Sequence, residues 1–195
     1  MCHAILLDAN LYTFLFRIDR DLAAEARVAG CLCGGVLHSA RYPRKPRGGP
    51  RKLGLEYEAR LSFCCAKEGC RRRTTPPSVR FLGQRVYLGA VVVLVSAMEG
   101  GVTVQRAERL RDSLGVLLRT LKRWRRWWRA VFVASPFWKQ AKGRFTPPVE
   151  VAALPTSLFE RFMGSDVPDR LARLLRFLSP LTTRSAGSGL VDARS

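Results

Sequence analysis

The chain has 195 residues, with 34 Lys or Arg against 15 Asp or Glu, a formal net charge of +19. Its hydrophobic content of 47% excludes a basic disordered tail, so most of the chain is expected to fold, as one domain or two small ones. Self-repulsion at this charge calls for a compensating anion, of which nucleic acid and an acidic membrane surface are the usual cases.

The charge is unevenly placed. Residues 1–29 hold 3 basic and 4 acidic side chains, residues 30–100 hold 13 and 4, residues 101–145 hold 12 and 2, and residues 146–195 hold 6 and 5. The excess lies between 30 and 145, which favours a binding surface over a solubility device. The longest apolar run, Val86 to Met98, falls short of the roughly 20 residues of a spanning helix. The N-terminal stretch is apolar but has no basic n-region and carries Asp8, unlike a signal peptide. The expected location is cytoplasmic, in association with the nucleoid, with no membrane partner.

Residues 1–29 read as an N-terminal helix. Asp8 is placed to cap it, Leu11, Leu15, Ile18 and Leu22 fall near one face, and Gly30 follows its end.

Residues 30–82 hold five of the six cysteines, in two clusters: Cys31-Leu-Cys33-Gly-Gly and Cys64-Cys65-x4-Cys70. In a reducing compartment such thiols stay unbridged. Two close cysteine pairs a few tens of residues apart are the pattern of a zinc ribbon, in which each pair sits on a tight turn and a tetrahedral Zn²⁺ joins the turns. The expected ligands are Cys31, Cys33, Cys65 and Cys70, with Cys64 as the rival to Cys65 and His38 as an alternate for the first pair. The cofactor is a structural Zn²⁺, and buried free thiols are the plain alternative. Between the clusters, residues 41–52 form a basic Pro/Gly-rich loop in which Arg44, Lys45 and Arg47 are expected to follow a phosphate backbone. Arg71, Arg72 and Arg73 follow the last cysteine and are expected to face phosphates, or to lie on a solvated edge strand.

Residues 83–135 read as three helices. The first covers 83–99, although Val91–Val95 alone also reads as a buried strand. Thr103 opens the second, about 103–112, with Val104, Ala107 and Leu110 inward. After Ser113-Leu114-Gly115 the third runs through 116–132. At 100° per residue, Leu117, Leu121, Trp124 and Trp128 share one side, and Arg119, Lys122, Arg126 and Arg129 the other, with Trp127 on a flank. Two helices around a short Gly-containing turn outline a helix-turn-helix. The division of the third suits a recognition helix, with Arg119, Lys122 and Arg123 nearest the bases and Arg126 and Arg129 on the DNA backbone. Only Glu108 and Asp112 oppose this charge between 101 and 129.

Residues 136–180 are expected to wrap the core, with a capping box at Ser157 and Glu160 and a last helix carrying Leu171, Leu174, Leu175 and Leu178. Residues 181–195 are expected to be a disordered tail. The fold class expected is mainly α with a small β zinc ribbon, a helix-turn-helix-type three-helix unit and C-terminal helices.

Cys31-x-Cys33-Gly-Gly, RYPRKPRGG, FCCAKEGCRRRTTPPSVRFLG and TLKRWRRWW together resemble a group of uncharacterised bacterial zinc-ribbon plus helix-turn-helix proteins associated with transposons. The ribbon is also similar to the N-terminal ribbon of some insertion-sequence transposases, from which it departs in having C-x-C in place of C-x2-C. The resemblance covers most of residues 5–180. It implies DNA binding linked to mobile elements, with Cys31, Cys33, Cys65 and Cys70 in the metal position.

The acids are few and scattered, and no Gly-rich phosphate loop or Ser-His-Asp set occurs, so no enzymatic activity is expected. The function expected is duplex-DNA binding, as a regulator or a mobile-element accessory protein. The alternatives are an RNA-binding zinc protein and a basic protein-interaction module.

Overall fold

The computed structural model of the protein describes residues 2–40, 42–43, 53–82, 88–97 and 103–183. Arg44, Lys45 and Arg47 lie outside the described residues, as does the tail beyond 183.

The N-terminal helix is two helices, α1 (Cys2–Leu7) and α2 (Ala9–Ala29). They part at Asp8, whose carboxylate accepts the Asn10 amide at 2.8 Å as an N-cap. Leu11, Leu15 and Leu22 are buried, as the helical spacing requires, while Ile18 is only half-buried and Asp19 is buried instead. Helix α2 stops at Gly30, whose φ of +71° costs a side-chain-bearing residue but not glycine.

The chain then forms a small antiparallel sheet in the order β1 (Leu37–Ser39), β4 (Phe63–Cys65), β5 (Arg73–Thr74). A separate pair joins β2 (Tyr42–Pro43) to β3 (Ala59–Arg60). The start of the basic segment is therefore paired backbone, where a loop was expected from 41 onward.

Helix α3 (Gly89–Ser96) occupies the centre, and all eight of its residues are buried. A helix that is apolar on every side is at home only inside a core, and this is how the Val91–Val95 run resolves to helix. Gly89 permits the close approach of the last helix: a Cβ there would lie 2.9 Å from Leu175 Cδ2. Around α3 pack α1, α5 (Leu118–Arg126) and α8 (Val167–Leu178). Helix α4 (Val104–Leu114) is attached through Leu110 and Leu114. Val104, expected inward, is 78% exposed, because only these two leucines of α4 reach the core. Helices α6 (Pro136–Ala141) and α7 (Thr156–Phe159) complete the wrap.

The third helix of the three-helix segment departs from its expected course at both ends. Leu117 does not join the core face. It precedes α5 as the N-cap residue and is 39% exposed, while Val116 turns inward in its place. At Trp127–Phe132 the α-helix widens into a π-helical turn. Trp127, expected on the flank, opens this turn and packs against Trp128 and Phe132, and all three are buried. Their ring centroids lie 4.8 Å (Trp127–Trp128) and 4.9 Å (Trp128–Phe132) apart, and Trp138 adds a ring 5.0 Å from Phe132. The cluster has a cost. The indole N–H groups of Trp127 and Trp128 are buried without a partner among the described residues, about 1–3 kcal/mol each.

Near the C-terminus, Ser157 makes no capping box. Its hydroxyl donates to the Glu150 carbonyl at 2.6 Å, and Pro155 occupies the cap position of α7. The last helix forms as expected, with Leu171, Leu174, Leu175 and Leu178 buried. Order continues past 180. Thr182 is buried, its hydroxyl accepts the Ser78 amide at 2.9 Å, and its carbonyl accepts Arg60 Nη2 at 2.8 Å. These bonds tie Thr182 to Arg60 of β3 and to Ser78 after the sheet, so regular contacts extend past the boundary expected at 180.

A buried ion pair locks α2 to that same segment. Asp19 accepts Arg80 Nε at 2.7 Å, the Ser78 hydroxyl at 2.7 Å and the Val79 amide at 2.7 Å. Arg80 also donates to the carbonyls of Glu56 and Ala59, and its guanidinium lies 4.6 to 5.0 Å from the ring centres of Phe16, Tyr57 and Phe81. A buried charge is tolerable only when satisfied in this way.

Candidate metal centre and basic surface

The end of α2 delivers Cys31 into a tight turn. The Gly34 amide donates to the Cys31 carbonyl at 2.8 Å, and the Cys31 amide to the Gly35 carbonyl at 3.3 Å. Gly34 has φ +76°, and a Cβ on Gly35 would fall 2.6 Å from Cys65 Sγ. Only glycine lets the second sulfur pair approach this backbone so closely. The second turn leaves β4 at Cys65 and closes through Cys70, whose amide donates to the Lys67 carbonyl at 3.1 Å. Gly69 and Arg71, at φ +81° and +43°, bend the chain back towards β5.

The two turns bring the sulfurs of Cys31, Cys33, Cys65 and Cys70 together, all within 4.8 Å of one another. Cys31 and Cys70 are 3.8 Å apart, and Cys33 and Cys65 are 3.5 Å apart. A tetrahedral Zn²⁺ with Zn–S bonds of about 2.3 Å separates its sulfurs by about 3.8 Å. Four soft thiolate donors at that spacing fit a metal ion of the zinc class.

Backbone amides are aimed at the sulfurs. The Gly35 amide, and then the neighbouring thiols of Cys70, Cys31 and Cys65, hold Cys33 down to about 6. Burial pushes the Cys65 thiol up to about 12, against the Lys67 amide. Cys33 is the exposed member of the four. Cys65, at 1% exposure, stays protonated until a cation compensates it.

Strand register excludes the alternates from this cluster. Cys64 precedes Cys65 in β4 and so points to the other face, where its thiol donates to the Arg71 carbonyl at 3.4 Å. His38 is exposed and sits opposite Cys64, while Leu37 and Cys65 pair on the buried side. The apolar cluster there is built on buried Ala23, Cys31, Leu37, Phe63 and Cys65, with Ala26, Leu61 and Cys70 half-buried against it.

Arg71, Arg72 and Arg73 are all exposed as the chain leaves the second turn. On α5, Thr120, Leu121 and Trp124 are buried, whereas Arg119, Lys122 and Arg126 are exposed. Arg129, in the π turn, is exposed as well, and Arg123 is half-buried. No acid occurs anywhere from residue 113 to 149. Helix α4 precedes α5 across Gly115, Val116 and Leu117, with Gly115 at φ +64°.

Two further cations escape the segmental count. Arg20 and Arg27 lie on α2, in a stretch whose net charge is −1, yet they line a groove beside the sheet. Their spacing with Ala23 and Ala24 is the sequence signal that marks them: i, i+3, i+4 and i+7 share one helix face.

Comparison of the chain with models of known families, with characterised proteins and with solved structures finds no match. Among the described residues no helix is long and apolar enough to cross a membrane.

Proposed function

We propose that the protein binds duplex DNA, with Cys31, Cys33, Cys65 and Cys70 holding a structural Zn²⁺ and α5 supplying the principal contact. The observation that carries this reading is the division of α5 and its π turn. Trp124, Trp127 and Trp128 are committed to the core, and Arg119, Lys122, Arg126 and Arg129 project outward, with no carboxylate in the surrounding stretch to neutralise them. A rigid helix that holds unneutralised cations on one side is suited to phosphates and to base edges in a major groove.

On this reading α4, the three-residue turn and α5 act as a helix-turn-helix, with α5 as the recognition helix. The zinc turns hold Arg71, Arg72 and Arg73 as a second set of phosphate contacts. The resemblance to transposon-associated ribbon proteins supports a role as a regulator or as an accessory protein of a mobile element, binding rather than catalysing.

The test is binding to random-sequence duplex DNA across a salt series, followed by selection of bound sites from a random pool. Steeply salt-dependent binding with a recoverable site is expected, and absence of binding at 50 mM salt refutes the reading. Arg119→Ala is expected to alter site preference, and Arg72→Ala to weaken all sites alike. Preference for structured RNA over duplex in direct competition would move the assignment to an RNA-binding zinc protein.

A further inference from the structure

We infer that the groove between α2 and the sheet is a phosphate-binding subsite, formed by Arg20 and Arg27 and occupied by a backbone phosphate of the bound nucleic acid. The inference rests on the nucleic-acid reading above for its occupant, but on separate residues.

The net charge of residues 1–29 conceals this site. Three of the four acids on this stretch are engaged elsewhere. Asp8 caps α2, Asp19 is buried against Arg80, and Glu25 pairs with Arg176 at 3.4 Å. Arg20 and Arg27 are exposed and have no partner among the described residues. The fourth acid, Asp21, is exposed next to Arg20 in sequence but is not part of the groove lining, which holds Arg20 and Arg27 and no acid.

The shape of the groove suits a small anion. One wall is a single face of α2, in which Ala23 and Ala24 stand between the two arginines. Their short side chains leave the helix surface open between two long guanidinium arms. The opposite wall is Ser39, Leu61, Ser62 and Phe63, and the open groove between the walls has a volume of about 230 Å³. The Ser62 hydroxyl is committed to the Ala40 carbonyl, which leaves the exposed Ser39 as the other hydroxyl-bearing residue of the groove lining. Two planar forks and a hydroxyl around a notch are the donors a tetrahedral oxyanion takes up.

The groove is also coupled to the cysteines. Phe63 lies opposite Ser39 in the sheet and two residues before Cys65. Ala23 and Phe63 belong to the same apolar cluster as Cys31 and Cys65. The groove and the cysteine turns therefore rest on one packed cluster.

The test uses the full zinc-loaded chain. The Arg20→Gln/Arg27→Gln double variant and Ala24→Glu, both at exposed helix positions, are compared with Lys139→Gln/Arg144→Gln, which removes the same charge elsewhere on the surface. Duplex binding by the groove variants is expected to weaken severalfold, with the salt slope reduced by about 1. The control variant is expected to change neither as much. Equal effects of groove and control variants would show a net-charge effect only and overturn the subsite. Inorganic phosphate, titrated alone and followed by amide NMR shifts, gives the second readout. Shifts at Ala24 and Ser39 in the wild type that vanish in the double variant are expected, and their absence from the wild type overturns the subsite. Failure of the wild type to bind any nucleic acid overturns the DNA reading instead, and the phosphate titration then judges the groove alone.

Discussion

In the helical core, α3 buries eight successive residues without a charged group among them, in one cluster with Trp124, Trp128, Phe132 and Leu171. In the cysteine module, three strands of two or three residues rest on an apolar cluster of Ala23, Cys31, Leu37, Phe63 and Cys65. The core gains its stability from apolar area removed from water, which is large, non-directional and tolerant of register. The module has too little such area, and its shape depends on four sulfurs reaching one point. Geometry therefore constrains the module residue by residue: Gly35 has no substitute, and shifting β4 by one place would present Cys64 where Cys65 now points. The core absorbs an equivalent irregularity, the π turn at Trp127–Phe132, and remains packed.

The two regions are joined by polar contacts, and the tests below ask whether the joint makes them one cooperative unit. The largest effect on global stability is expected from Trp124→Ala, which removes a fully buried ring beside α3 and should cost about 3–5 kcal/mol in a urea titration. A loss below 1 kcal/mol would mean that the core is not organised around this helix. Asp19→Asn follows. It leaves the buried Arg80 uncompensated, at about 3–5 kcal/mol, and the Asp19→Asn/Arg80→Met pair should cost less than the sum of the single changes. Additive costs would show that the pair does not act as a unit.

Next is Cys65→Ser, expected to reduce bound zinc from one per chain to none by elemental analysis, with amide protection lost in residues 31–39 and 63–74 and the far-UV helix signal retained. Melting of the helices together with the module would erase the distinction between the regions. Cys64→Ser is the matched control, expected to keep the zinc and to change stability by no more than about 0.5 kcal/mol.

The smallest effect is expected at Asp169. Arg173 and the Ser165 amide hold its carboxyl below the ordinary value. A depressed carboxylate stabilises the fold above its unfolded pKa, and that contribution disappears as pH falls through the folded one. Asp169→Asn is therefore expected to lower the melting temperature slightly at neutral pH and to match the wild type in acid. A difference that persists at low pH would locate the effect in the N-terminal turn of α8 rather than in the charge.

Much of the local structure follows from short-range patterns. Asp8 and Gly30 bound α2, the leucines of α8 face inward, and the cysteine spacing contains the four sulfurs that converge. These features are legible because each depends on neighbours in the chain: a cap, a helical period, a turn between two ligands. The choice between Cys64 and Cys65 was not legible. It depends on which face of β4 meets α2, and that is a property of the sheet's register. Trp127 falls on the flank of an isolated helix, yet it is buried against Trp128 and Phe132, and such packing is not contained in a helical period.

The sequence by itself determined where cysteines and cations occur, which segments are apolar enough to be buried, and how large the positive excess is. Only the tertiary structure decided which charges remain available. Asp19 and Arg80 cancel in the interior across 61 positions of sequence, Glu25 meets Arg176 across 151, and Arg20 and Arg27 are left facing an open groove. Charge composition adds along a chain irrespective of distance, whereas neutralisation needs contact. Contacts between residues so far apart are made only when the chain folds.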